Sequence, residues 1–95
     1  MERKTLEKAW LDSYDIEKGT PEEKVTVLAS IPSKTLAEET YEAAMELRDE
    51  GINWYGSDFE EELVEITNRG DLAITNPDVH ISVEEYNEIT EAKKQ

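Results

Sequence analysis

The chain contains no cysteine, which excludes a disulfide framework, a thiolate nucleophile and a thiolate metal site. It has a single histidine, His80, and a single phenylalanine, Phe59. No apolar stretch is long enough for a secretory h-region or a membrane span, so a cytoplasmic location is expected. No Gly-rich phosphate cradle, HExxH pair or EF-hand loop occurs. A non-enzymatic protein without catalytic, cofactor or metal residues is therefore expected. Bases are scarce beyond residue 35: Arg48 and Arg69 are the only ones between Leu36 and Glu91. That scarcity argues against direct contact with nucleic acid or with anionic membranes, which reward Lys and Arg.

What is present is acid. Asp and Glu total 24 against 10 Lys and Arg, for a net charge of −14 over 95 residues. The charge is localised. Between Leu36 and Glu91 seventeen acids face two bases, a net −15, whereas the first 35 residues sum to −1. This length supports one domain, residues 1–95, with a modest core. A hydrophobic fraction of 37% raises the question of disorder. Two Trp, four Tyr and well-spaced Leu, Ile and Val supply anchors against it, leaving residues 1–4 and 92–95 as the expected disordered ends.

Periodicity predicts a mainly α fold of four to five short helices. Leu6, Trp10 and Tyr14 recur at helical spacing within residues 3–15. Thr20-Pro21-Glu22-Glu23 signals a second start, with Pro32 stopping that helix near Ile31. Thr35–Glu38, Ser57–Glu60 and Ser82–Glu85 each fit a capping box, opening helices of about 35–50, 58–69 and 83–92, with Gly51 and Gly70 closing the first two. Leu72–Thr75 and Val79–Ile81 flank Asn76-Pro77-Asp78 and predict a small β-hairpin near 72–81. Helices followed by a hairpin also suggest a winged-helix-like arrangement as an alternative. A DNA-binding version would need a basic recognition helix, whereas Asp58–Arg69 carries five acids and one base.

On a helical wheel with Leu36 at 0°, Glu38, Glu39, Glu42, Glu46, Asp49 and Glu50 fall between about 200° and 320°. Asp58, Glu61, Glu62 and Glu65 share one arc of the next helix, opposite Phe59, Leu63 and Ile66. Glu84, Glu85, Glu88 and Glu91 do the same on the last. Acids in a first helical turn favour the helix dipole, which accounts for roughly half of them. Asp49 and Glu50 lie at the wrong end for that. The like-charge pairs Glu38–Glu42, Glu42–Glu46 and Glu46–Glu50 each cost roughly 0.2–0.5 kcal/mol.

The Gly51–Gly56 loop joins the two most acidic helices and holds Trp54 and Tyr55. Such a pair is either an interface anchor or a clasp folded back on the core. His80, in the expected hairpin with no Ser or Cys nearby in sequence, is assigned a structural role. Together these features predict an inhibitor or modulator, of the kind phages and mobile elements encode. Its carboxylates, with Trp54 and Tyr55, would occupy a basic nucleic-acid-binding surface of a target protein. The alternative is a helical adaptor, antitoxin-like partner or homo-oligomeric assembly subunit that uses its apolar faces.

Overall fold

In the computed structural model, residues 1–18 and 25–94 are described. Four helices account for most of them: α1 (Arg3–Lys18), α2 (Ser33–Asp49), α3 (Ser57–Arg69) and α4 (Val83–Lys94). Short 3-10 turns at Leu28–Ser30 and Gly70–Ala73 complete the element order. α2 is the hub of the packing, meeting α3 most extensively and α1 next. The molecule is a slab of 34 × 33 × 19 Å.

The buried residues follow the apolar arcs. Leu6 and Trp10 of α1, Leu36 and Ala37 of α2, and Phe59, Leu63 and Ile66 of α3 share one core with Leu28, Ile81 and Tyr86. On α2 the buried Leu36, Thr40, Ala43 and Ala44 lie opposite the acids, so burial orients the acidic stripe outward. The side chain of Tyr14 lies outside the described residues.

Of the three expected capping boxes, one forms in its serine half. The Glu85 N–H donates to Ser82 Oγ at 3.1 Å, opening α4. α2 instead begins at Ser33, two residues early, behind Pro32 with φ −59°, an angle already suited to helix entry. α3 begins at Ser57 behind Gly56, with no side-chain cap, and the Glu60 carboxylate turns to Arg48. α2 closes as its sequence predicts. Gly51 has φ +88°, its N–H donates to Arg48 O at 2.9 Å, and the Ile52 N–H reaches Leu47 O at 2.8 Å, the pattern of a Schellman cap.

The hairpin near 72–81 does not form, and no strand ladder exists among the described residues, so the winged-helix alternative is not supported either. Gly70 leads into a 3-10 turn, and the following backbone finds other partners. Thr75 N–H donates to Met1 O at 2.9 Å and Thr75 O accepts from Arg3 N at 3.1 Å, an isolated parallel bridge to Glu2. Asn76 (φ +54°) begins a turn that reverses the chain, and the Ile81 N–H is taken by the Glu7 carboxylate. Once these groups are satisfied elsewhere, a ladder between 72–75 and 79–81 has nothing to pair. The same bonds hold residues 1–4, expected to be disordered: Arg3 is 3% exposed. At the other end α4 extends to Lys94.

The expected helix from Pro21 to Ile31 lies in part outside the described residues, 19–24. Val25 is still helical, and from Thr26 onward the chain turns through the 3-10 segment, with Ile31 N–H donating to Leu28 O at 3.0 Å. β-Branched Val25, Thr26 and Val27 are weak helix formers. Among the described residues no helix is long and apolar enough to cross a membrane.

Candidate functional site

Among the described residues two concave features stand out, and they differ in chemistry. The first is a trough between α2 and α3. Tyr41 and Val64 line both of its sections, where they adjoin. Toward one end it is bounded by Glu38, Glu42 and Thr67, and toward the other by Arg48, Glu60 and Glu61. The first section has a volume of about 280 Å³. Val64 is 41% exposed there, an apolar surface between two rows of carboxylates. The acidic arcs of α2 and α3 thus border one trough, Glu38 and Glu42 toward one end and Glu61 toward the other. On the wheel, Asp58, Glu62 and Glu65 continue around the outer edge of α3, about 40–100° beyond Glu61.

Both bases of this half are engaged. Arg48 pairs with Glu60 across the trough, and Arg69 pairs with Glu65 one turn away at 2.7 Å. Glu39 accepts the Trp10 indole N–H at 2.6 Å, fastening α2 to α1. Of the eleven acids on and just after α2 and on α3, these bonds engage Glu39, Glu60 and Glu65. Glu38, Glu42, Glu46, Asp49, Glu50, Asp58, Glu61 and Glu62 remain, all exposed, and none forms an ion pair among the described residues. The α4 arc does not join them as a whole: Glu85 turns toward α1, where Lys4 Nζ binds it at 2.8 Å. The Lys4 hydrogen bond holds the Glu85 carboxyl below the ordinary carboxylate range.

The Trp54-Tyr55 loop folds back as a clasp. Tyr55 stacks on Phe59 with ring centroids 4.7 Å apart, and Trp54 meets Tyr55 edge-on at 4.5 Å. Trp54 also packs on the core. The Tyr55 hydroxyl donates to Asp12 Oδ2 at 2.5 Å, tying the loop to α1. Burial, and then the Asp12 carboxylate, push this phenol well above its ordinary pKa. Tyr55 nevertheless keeps 41% of its surface and Ile52 49%.

The second concave feature is a polar cleft of about 360 Å³ reached by Arg3, Ser33, Asp71, Asp78 and His80. Beneath it lies a network that sequence reasoning did not detect. Arg3 Nε donates to Glu7 Oε2 at 2.8 Å, and both side chains are buried. Arg3 also donates to Ser33 Oγ, Leu28 O and Ile31 O, each at 2.7 Å. Glu7 further binds His80 Nδ1 and the Ile81 N–H, both at 2.8 Å. Ser33 Oγ donates to Asp71 Oδ1 at 2.6 Å. A carboxylate-oriented imidazole beside a serine invites comparison with a hydrolytic site. Here the Ser33 proton goes to Asp71 and its oxygen accepts from Arg3, so the hydroxyl is not presented to the imidazole. The network joins five segments and leaves no buried side-chain polar atom without a partner among the described residues. Its sequence signal was faint: Arg3 and Glu7 are spaced i, i+4, an ordinary surface pair until Leu6 and Trp10 set the helix phase.

No cluster of three or more His, Asp or Glu side chains among the described residues is arranged to hold a metal ion. No protein-family model matches the chain, and neither a curated protein nor a solved structure is significantly similar to it.

Proposed function

We propose that the protein is a non-enzymatic acidic binding protein whose α2–α3 face occupies a basic surface of a partner protein, of the kind that otherwise holds nucleic acid. One observation carries this reading: the carboxylates left after internal pairing gather on neighbouring helices that share a trough, with both nearby arginines already engaged. α2 is about 25 Å long, so its acids and those of α3 together set roughly one charge per 2–3 Å, of the same order as duplex DNA, about one per 1.7 Å of axis. The carboxylates would replace phosphates against Lys and Arg, and the long-range field would steer association. An inhibitor or modulator of a nucleic-acid-handling protein, such as phages and mobile elements encode, fits that mode of action.

The test is capture of the partner followed by titration with salt and with DNA or RNA. Affinity is expected to fall steeply with ionic strength, and nucleic acid is expected to compete. Charge reversal at Glu42, Glu46, Asp49 and Glu50, all exposed, should abolish binding with the helical circular dichroism intact. Binding that survives both the reversals and about 0.5 M salt, where charges beyond a few ångströms are screened, refutes the proposal.

A second reading, an adaptor or oligomeric subunit, is favoured by Leu72, 82% exposed on its 3-10 turn. It requires a stable dimer or larger assembly in light scattering that Leu72→Ser dissolves.

A further inference from the structure

Resting on the reading above, we propose that the α2–α3 trough seats a cationic amphipathic helix of the partner protein. One apolar side chain of that helix lies on Tyr41 and Val64, and Lys or Arg one turn to either side meets Glu38, Glu42 and Glu61.

The shape selects a helix. Ser57 and Thr67 mark the two ends of the trough on α3, and ten residues of helix span about 15 Å. Three turns of a docked helix have that length. A helix lying between two others packs at about 8–10 Å from each. Glu38 and Glu42 are one turn apart on α2, the spacing at which a facing helix presents residues i and i+4.

The charge selects its sign. A second copy of this chain would set carboxylate against carboxylate around the same floor, which is repulsive. A neutral helix would cover Val64 and leave the surrounding carboxylates partly desolvated without partners. Polyphosphates and anionic lipid surfaces are repelled. A cationic helix satisfies the apolar floor and the acidic walls together, and the paired Arg48 and Glu60 neutralise each other at the far end.

The experiment uses the full chain and two synthetic 14-residue peptides of identical composition, half Leu and half Lys. One has its leucines at i, i+3, i+4 and i+7, and the other is scrambled so that no apolar face forms. Binding is followed by fluorescence anisotropy at two salt concentrations and by backbone amide shifts in NMR. The amphipathic peptide is expected to bind at least about tenfold more tightly than the scrambled one, with the largest shifts at Tyr41, Val64 and Thr67. Val64→Ser should remove about fivefold of that preference. Val64→Trp, which fills the trough from within, should remove it altogether. Val64 is 41% exposed, so both variants should fold, which circular dichroism checks. Equal binding of the two peptides, lost in salt and untouched by either variant, overturns the trough inference and leaves the acidic-face reading standing. Absence of binding by both peptides at low salt overturns the two together.

Discussion

Replacing Glu7 by glutamine tests whether the buried network is the clamp of this fold. The change keeps size and shape and removes only charge and one acceptor. Glu7 is 0% exposed. Its Oε2 meets Arg3 Nε and His80 Nδ1, and its Oε1 meets the Ile81 N–H. Glutamine cannot serve both ends. With its carbonyl toward Arg3, its NH₂ points at the Ile81 N–H, donor against donor. With the amide reversed, the NH₂ points at Arg3 Nε and at the imidazole.

Either orientation strands a buried donor, at about 1–3 kcal/mol, and leaves the Arg3 guanidinium without its counter-charge. Removing one partner of a buried ion pair costs about 3–5 kcal/mol in all. A small domain has only about 5–15 kcal/mol to lose. With an m-value of about 1.5 kcal/mol/M, the urea midpoint should fall by about 2–3 M with m unchanged. A double-mutant cycle with Arg3→Met and Glu7→Leu separates the pair from its surroundings, and the double variant should lose about 1–3 kcal/mol less than the two single losses together. A midpoint shift below about 0.5 M for Glu7→Gln would refute the assignment of the network as the clamp.

Three further predictions address the surface. The raised Tyr55 pKa means that the folded state holds its phenolic proton after the unfolded state has lost it. Its stabilising effect is therefore fully present below pH about 10 and declines as pH rises beyond it. In an ultraviolet titration Tyr55 should ionise late, and Tyr55→Phe should remove one phenol from the late part of the curve. Glu85 is depressed by Lys4, so its contribution is present above the ordinary carboxylate pKa and is lost as pH falls through the lowered value. Lys4→Met should move the Glu85 carboxyl shift titration upward. Glu46→Lys removes two like-charge pairs on α2 and creates two attractive ones, for a gain of about 0.8–2 kcal/mol at low salt. The same variant should bind the basic partner more weakly.

Much of the helical fold was legible because its signals are local. The wheel placed Leu36, Thr40 and Ala44 on one side of α2 and Glu42 and Asp49 on the other, and the structure buries the first set. Gly51 closed α2 because a left-handed residue was needed there. The failures share a cause. The boxes at Thr35–Glu38 and Ser57–Glu60 were locally sufficient, but Pro32 and Gly56 set the helix starts, and the Glu60 carboxylate went to Arg48 instead. The 72–81 segment carried strand-like residues, but Met1, Arg3 and Glu7, some seventy positions away, captured its backbone. The trough was invisible because Tyr41 and Val64 lie on the flanks of their wheels. Only the packing of α2 against α3 brings them together.

That division of labour bears on what the acids are for. The carboxylates that hold the fold are identifiable one by one: Glu7 under Arg3, Glu39 on the Trp10 indole, Asp12 on Tyr55, Asp71 on Ser33, Glu60 and Glu65 on arginines, Glu85 on Lys4. Each joins two elements or two turns. Glu42, Glu46, Asp49 and Glu50 join nothing, and their mutual repulsion acts against the helix that carries them. Solubility alone does not require that arrangement, since two or three bases interspersed along α2 would support the helix and still leave a large net negative charge. A row of like charges that burdens its own helix, set beside an exposed apolar floor, is stabilised only when an opposite charge arrives from outside. The folding energetics and the proposed binding mode therefore make one shared demand: a cationic partner should raise the melting temperature of this protein, and raise it least in the variant that carries Lys at position 46.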